Sequence, residues 1–222
     1  VPGVPAAAED CGTAREIAHA AAYGVPVHIC HVSTATSVAL IRDARRRGVP
    51  VTGETAPHYF SLTDEELRAR DADLRMSPPL RTEDDRRAVI EALRDGTLQA
   101  IATDHAPHTP AEKAVFEKAP NGAVGMETSL AAGITWLVRP GFLTLSQLIR
   151  LMSTSPARML GLHAGTLASG APADVVVFDP EESWRVDPDA LHGKSRNAVF
   201  KGKTLTGRVK ATICRGRFVF RA

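Results

Sequence analysis

The chain has 222 residues, of which 44% are hydrophobic and 23% charged, so it can bury a core and lacks the composition typical of disorder. Its 27 basic and 25 acidic residues are spread along the sequence and give a formal charge of +2. No basic block is therefore available for nucleic acid or an anionic membrane, and we expect a small-molecule substrate.

The cysteines and the first residues bear on the cellular compartment. Cys11, Cys30 and Cys214 are odd in number and far apart, which argues against a disulfide framework and against a zinc knuckle. No basic region followed by an apolar run opens the sequence, and no stretch approaches the roughly 18 apolar residues of a spanning helix. We expect a cytoplasmic protein without a membrane partner.

Short β-prone runs alternate with helical segments in the first half of the chain, the pattern of a parallel sheet covered by helices. Apolar spacing and glycine stops place the boundaries of each segment. In chain order the predicted elements are helix 13–23, strand 25–31, helix 36–47, strand 49–55, helix 83–94 and strand 99–104.

Helix-capping pairs and a change to β-rich sequence predict the remaining elements. A threonine followed three residues later by an acidic residue or glutamine predicts a helix start, since the two side chains satisfy each other's backbone N–H groups. These pairs are Thr63–Glu66, Thr82–Asp85 and Thr144–Gln147, and Pro156 marks one more first turn. After about residue 163, β-rich runs at 174–178, 208–214 and 217–220 predict a small C-terminal β domain.

Two strands end on residues that can carry chemistry. His31 ends strand 25–31 on the same face as Ile29, and Asp104 ends strand 99–104 on the same face as Ala102. The carboxyl ends of parallel strands converge at a barrel mouth. We therefore expect His31 and Asp104 to point into one concavity.

The segment 103–109, Thr-Asp-His-Ala-Pro-His-Thr, is the densest cluster of reactive groups. The carboxylate of Asp104 can both bind a metal ion and carry a proton, because its lone pairs serve either use. An Asp-capped turn without a catalytic role is the alternative. A single strand-end histidine such as His31 decides little by itself.

Together, five segments resemble dihydroorotases of the cyclic amidohydrolase branch. Their order and approximate spacing match, and the tail segments 194–197 (KSRN) and 205–209 (LTGRV) extend the resemblance to the end of the chain. The five are HICHVST at 28–34, ETAPHYF at 54–60, MSPPLR at 76–81, ATDHAPH at 102–108 and PNGAVGMET at 120–128.

The resemblance implies a (β/α)₈ barrel with two zinc ions per active site. Residues 1–162 would form the last three β/α units of a partial barrel, and 163–222 a small β-rich segment. The family's H-x-H pair, its bridging lysine or aspartate and a further histidine are not found before His31. We therefore expect the chain to be the C-terminal part of a longer enzyme and to be inactive by itself.

The resemblance also implies roles for individual residues. His31 and Asp104 would be metal ligands, and Asp104 would also be the catalytic proton carrier. Glu54 and His58 are not expected to be ligands, because related enzymes have glutamine in place of His58. The residues expected to contact substrate are Ser77, His108, Asn121 and Gly122, and the family commonly has asparagine in place of Ser77.

The activity implied is the reversible cyclisation of N-carbamoyl-L-aspartate to L-dihydroorotate in pyrimidine biosynthesis. A hydantoinase or allantoinase is the enzymatic alternative. A non-catalytic dihydroorotase-like subunit that supports aspartate transcarbamoylase is the alternative from another class. The resemblance leaves open both a homodimer and an association with aspartate transcarbamoylase.

Overall fold

A three-stranded parallel sheet organises the first half of the chain in the computed structural model, which describes residues 3–222. Its strands, in the order β1-β2-β3, are Val27–Ile29, Val51–Thr55 and Ala100–Ile101. Each lies within a predicted run but is shorter. The parallel pairing is the one expected from the alternation of strands and helices.

Helices connect these strands, and α1 packs against α2 and β1. Helix α4 has the predicted bounds, whereas α1 starts earlier than its predicted 13–23. The Thr63–Glu66 signal marks a 3₁₀ helix rather than an α-helix. The helices of this part are α1 Ala6–Tyr23, α2 Ala35–Arg46, α3 Pro57–Ser61 and α4 Glu83–Arg94, with 3₁₀ turns at Asp64–Ala69 and Ala72–Leu74.

One face of the parallel sheet is buried beneath helices. Ile29, Val51 and Ile101 on this face are 9%, 3% and 5% exposed. Gly53 lies between them, and a Cβ there would come 3.3 Å from Ile41 Cδ1 of α2. Glycine thus lets α2 approach the sheet closely. The opposite face carries polar side chains of β1 and β2.

The later part of the chain contains short helical segments and an antiparallel sheet. The predicted runs 174–178, 208–214 and 217–220 coincide with its three strands, which extend further than predicted, except that the first strand starts one residue later, at Val175. The helical segments are α5 Ser129–Gly133, a π-helical turn Ile134–Val138, α6 Leu145–Ile149, a second π-helical turn Arg150–Thr154 and α7 Ser155–Met159. The strands are β4 Val175–Arg185, β5 Thr204–Cys214 and β6 Arg217–Arg221, with the 3₁₀ turn Pro188–Ala190 between β4 and β5.

The chain forms two compact units. The first runs to Glu127 and includes Pro188–Val199, and the second comprises Thr128–Asp187 and Phe200–Ala222. The first unit contains the parallel sheet and all predicted site residues. Among residues 3–222, no helix is both long enough and apolar enough to cross a membrane.

The cap of α4 gives a stability prediction. Thr82 Oγ1 accepts the Asp85 N–H and donates to the Asp85 carboxylate, whereas Thr63, at the start of the 3₁₀ helix, makes no side-chain capping bond. Thr82→Ala should lower the free energy of unfolding by about 1 kcal/mol. The matched Thr63→Ala should change it by less than about 0.5 kcal/mol. Urea denaturation compares the two, and equal losses would contradict this assignment.

Candidate metal and substrate site

His31 and Asp104 meet just beyond the carboxyl ends of β1 and β3, with His31 Nε2 3.7 Å from Asp104 Oδ1. The register pairs Ile29 with Gly53 and Thr55 with Ile101. Strand alternation would therefore place His31 on the face of Ile101 and Asp104 on the opposite face. Both residues instead adopt a left-handed backbone, with φ of 59° and 47°. The side chains meet, as expected, but because of these turns rather than because of alternation.

Glu54 and His58 complete a group that we call the imidazole–carboxylate cluster, formed by His31, Glu54, His58 and Asp104. Glu54 Oε1 lies 3.5 Å from His31 Nδ1. His58 Nε2 lies 3.6 Å from Asp104 Oδ2. Glu54 stands near the end of β2, and His58 follows in the first turn of α3. Glu54 and His58, which were not expected to be ligands, therefore lie next to the two residues that were.

The donor atoms of the imidazole–carboxylate cluster suit a metal ion. His31 Nδ1 and His58 Nε2 are buried, and neither has a hydrogen-bond partner among the described residues. Burial, and then the neighbouring His31, lower the pKa of His58 to about 3, so its imidazole is neutral at pH 7. Neutral imidazoles and carboxylates are typical zinc ligands. A buried nitrogen without a partner costs about 1–3 kcal/mol, a cost that coordination would remove.

A second donor group adjoins the first through Glu54. Ligand atoms of His28, Cys30 and Glu54 all lie within 4.8 Å of one another. His28 Nε2 is 3.3 Å from Glu54 Oε2, and His28 Nδ1 is 2.8 Å from Thr52 Oγ1. Burial, and then the Glu54 charge, raise the pKa of the Cys30 thiol. Glu54 thus lies between two sets of potential ligands.

A buried ion pair holds the loop that follows His31. Glu9 of α1 accepts the Ser33 N–H at 2.8 Å and the Thr34 N–H at 3.2 Å. Arg81 Nη2 lies 3.3 Å from Glu9 Oε2, and its Nε donates to Ser33 Oγ at 3.2 Å. The Arg81 and Glu9 side chains are only 10% and 11% exposed. Two segments distant in sequence, those of Glu9 and Arg81, thereby fix the backbone next to His31.

The structure brings together some of the predicted substrate residues. His108 Nε2 lies 3.0 Å from the Asn121 carbonyl oxygen and donates to it as an N–H. The Gly122 N–H donates to Arg75 O at 2.7 Å, which connects this loop to the segment before Ser77. Ser77 itself is exposed. Among the described residues no hydrogen bond joins Ser77 to His108, Asn121 or Gly122.

Glycine permits a close approach between the two loops of the site. Gly122 has a φ of 115°, and a Cβ there would lie 2.4 Å from Ala106 Cβ. A Cβ on Gly125 would lie 2.4 Å from Thr103 O. The Gly125 N–H donates to His105 Nδ1 at 3.0 Å, so this imidazole fastens the loops to each other. Larger residues at either glycine would force the loops apart.

The sequence interpretation missed several residues that shape this site. Glu54 and His58 are both set aside as ligands on the resemblance, although Glu54 stands near the end of β2, the strand between β1 and β3, and His58 follows it by four residues. Glu9 and Asn197 gave no local signal, because their partners lie at least 24 residues away.

The chain belongs to the amidohydrolase family, whose family model matches residues 4–219. Within that family it is similar to curated dihydroorotases. The dihydroorotase of Syntrophus aciditrophicus is 50% identical over 221 residues, which are 99% of this chain and 52% of that protein. That of Geobacter metallireducens is 51% identical over 220 residues, with the same coverage of 99% and 52%. The chain therefore spans about half the length of the curated relatives it matches.

Solved structures of related enzymes share the fold. The dihydropyrimidinase of Brevibacillus agri NCHU1002 aligns with a TM-score of 0.92 at 33% identity and covers 98% of this chain and 49% of its own. The D-hydantoinase of a Thermus species aligns with a TM-score of 0.92 at 28% identity, with the same coverage. The predicted α/β class is thus confirmed as an amidohydrolase fold of mixed α/β type.

The Glu9–Arg81 pair gives a second stability prediction. Glu9→Gln leaves Arg81 buried without its counter-charge, so it should lower the free energy of unfolding by about 3 kcal/mol or more. Glu16→Gln breaks the exposed Arg15–Glu16 pair and should cost less than about 1 kcal/mol. Urea denaturation of both variants is the measurement. A loss for Glu9→Gln as small as that for Glu16→Gln would show that the buried pair does not hold this loop.

The lowered pKa of His58 predicts acid sensitivity in the metal-free protein. Between its ordinary pKa of 6.5 and about 3, the unfolded chain binds a proton that the folded chain does not. Stability should therefore fall as the pH falls through this window, by up to about 1.4 kcal/mol per pH unit. His58→Gln should remove this part of the pH dependence, and exposed His163→Gln should keep it. Urea unfolding at pH 7 and pH 5 after chelation tests this. The same change in the free energy of unfolding between the two pH values in the wild type, His58→Gln and His163→Gln would contradict it.

Proposed function

We propose that the protein is a dihydroorotase, which interconverts N-carbamoyl-L-aspartate and L-dihydroorotate in pyrimidine biosynthesis. The observation that carries this proposal is the approach of His31 to Asp104, 3.7 Å apart, beside buried imidazole nitrogens that have no hydrogen-bond partner within residues 3–222. About 50% identity to curated dihydroorotases over nearly the whole chain supports this substrate over those of the hydantoinases, at about 30%.

The proposed architecture is a partial (β/α)₈ barrel. Residues 1–162 would contribute its last three β/α units, and 163–222 a small β-rich segment. The parallel order β1-β2-β3 with intervening helices supports this proposal, as does the antiparallel sheet of β4, β5 and β6. In such barrels the active site lies at the carboxyl ends of the strands, where His31 and Asp104 are found.

The metal proposed is zinc, with two ions per active site in the whole enzyme. His31 and Asp104 would be ligands from this chain, with Glu54 beside His31 and His58 beside Asp104. Zinc in such a site supplies a Lewis acid that polarises an amide carbonyl and makes water more acidic.

Asp104 is the proposed proton carrier. For ring opening its carboxylate accepts a proton from the attacking water, and then delivers it to the ring nitrogen as the C–N bond breaks. For ring closure the same carboxylate takes the proton from the attacking nitrogen as the C–N bond forms, and delivers it to the oxygen that leaves as water when the C–O bond breaks. His58 lies 3.6 Å from Asp104 and is neutral at pH 7, so it does not compete for that proton.

The substrate carboxylate would be held by the loop that follows Asp104. His108 is placed there by its bond to the Asn121 carbonyl oxygen, and Gly122 lets that loop pack closely against Ala106. Ser77 is proposed as a further contact from the Pro-Pro loop. Tyr59 donates its hydroxyl to Pro78 O at 2.7 Å and so supports that loop.

The experiment that tests the function compares substrates. The protein expressed from its complete gene should turn over dihydroorotate far faster than hydantoin or allantoin. Faster turnover of hydantoin would favour the second candidate, a hydantoinase. The similarity of the chain to solved hydantoinase structures supports that candidate. A protein that binds zinc but turns over none of the three would be the non-catalytic subunit.

Homodimer formation and association with aspartate transcarbamoylase, both proposals from the resemblance, can be read from the same preparation by light scattering.

Substitution of the two loop residues should separate chemistry from binding. Asp104→Asn removes the charge and the basicity that proton transfer needs, so turnover should fall at least about a thousandfold. His108→Ala removes one charge-assisted contact of about 1.5–3 kcal/mol and should weaken apparent affinity about ten- to a hundredfold. Steady-state kinetics with zinc analysis decide this. Appreciable turnover by Asp104→Asn, or zinc loss in His108→Ala, would contradict the assigned role.

A further inference from the structure

Asn197 joins the two loops of the proposed substrate site. It lies in the segment Pro188–Val199 and is 3% exposed. Its Nδ2 donates to Ala106 O at 2.9 Å and to Gly122 O at 3.2 Å. Its Oδ1 accepts the His108 N–H at 3.2 Å. One buried amide therefore contacts both loops that carry the predicted substrate residues.

The chemistry of these contacts requires asparagine. Both N–H donors of the amide are used on carbonyl oxygens and its oxygen is used on an N–H, so each polar atom of the side chain has a partner. An aspartate of the same shape would direct an oxygen at two carbonyl oxygens. An alanine would leave two buried carbonyls and one buried N–H without partners, and such groups are costly.

The main chain around Asn197 strengthens the same connection. The Val124 N–H donates to Asn197 O at 3.0 Å, and Val124 forms a parallel bridge with Ala198. The Ala106 N–H donates to Ala123 O at 2.9 Å. Three segments far apart in sequence are thus held together at one buried position.

We infer that Asn197 is the positioning residue that holds His108 and the glycine loop, residues 121–125, in the geometry needed to bind substrate. None of its hydrogen bonds goes to His31, Glu54, His58 or Asp104. Its loss therefore loosens the binding loops and leaves the metal ligands in place. The expected weakening of substrate binding rests on the proposed function, whereas the expected loosening of the loops does not.

Two variants and one matched control test this role in the protein expressed from its complete gene. Asn197→Asp keeps the shape but removes both donors, and Asn197→Ala removes all three bonds. Glu127→Ala is the control, because Glu127 accepts the N–H groups of His192 and Gly193 and so secures the same segment without contacting the two loops. Steady-state kinetics, zinc content and amide hydrogen exchange are measured on all three.

Both Asn197 variants should raise KM for dihydroorotate about tenfold or more, with kcat within about threefold and zinc content unchanged. Exchange of the His108 and Val124 amides should accelerate about tenfold or more, and Glu127→Ala should change neither. Unchanged KM and exchange in Asn197→Ala, or equal changes in Glu127→Ala, would overturn the inference. A wild-type protein without dihydroorotase activity would instead refute the proposed function, and the exchange data would still test the position of the loops.

Discussion

The buried ion pair between Glu9 and Arg81 is the interaction on which the candidate site depends. Its carboxylate binds the backbone just after His31, and its guanidinium comes from the segment just before α4. Two buried charges are stable only when each satisfies the other and the remaining polar atoms also have partners. Ser33 and Thr34 supply those partners, so the cost of burying the pair is offset by contacts that fix the loop. This arrangement fixes the backbone two and three residues after the left-handed turn at His31.

From that fixed loop the chemistry of the imidazole–carboxylate cluster follows. Three pairs in this cluster, each a carboxylate and an imidazole, lie 3.5–3.7 Å apart, and two of the ring nitrogens are buried with no hydrogen bond in the part of the chain that the structure describes. Burial keeps His58 neutral, so it cannot cancel the charge of Asp104 as a protonated partner would. A divalent cation would satisfy both the charges and the lone pairs.

The parts of the fold set by neighbouring residues could be predicted from the sequence. Helix α4 was predicted with its correct bounds because its capping box and apolar spacing are local. Strand β3 was predicted as 99–104 but ends at Ile101, before the left-handed turn at Asp104. That turn depends on packing rather than on propensity. The side-chain alternation used to bring His31 and Asp104 together failed for the same reason, although the two residues do meet.

Long-range partners set the rest of the site, and they could not be predicted. Asn197 acts on His108 across 89 residues, and Glu9 on Ser33 across 24. No periodicity or motif in one sequence specifies such pairs. The resemblance named the residues expected to touch metal and substrate, whereas the residues that hold them in position became visible only in the structure.

His31 and Asp104 are both proposed to bind zinc. Anomalous X-ray diffraction at the zinc edge, from crystals of the protein expressed from its complete gene, tests this most directly. We expect anomalous density about 2.0–2.2 Å from a His31 ring nitrogen and at the same distance from an Asp104 carboxylate oxygen, whether one ion or two supply it. An anomalous map with no peak beside these two side chains, in crystals whose zinc content has been verified, would contradict it.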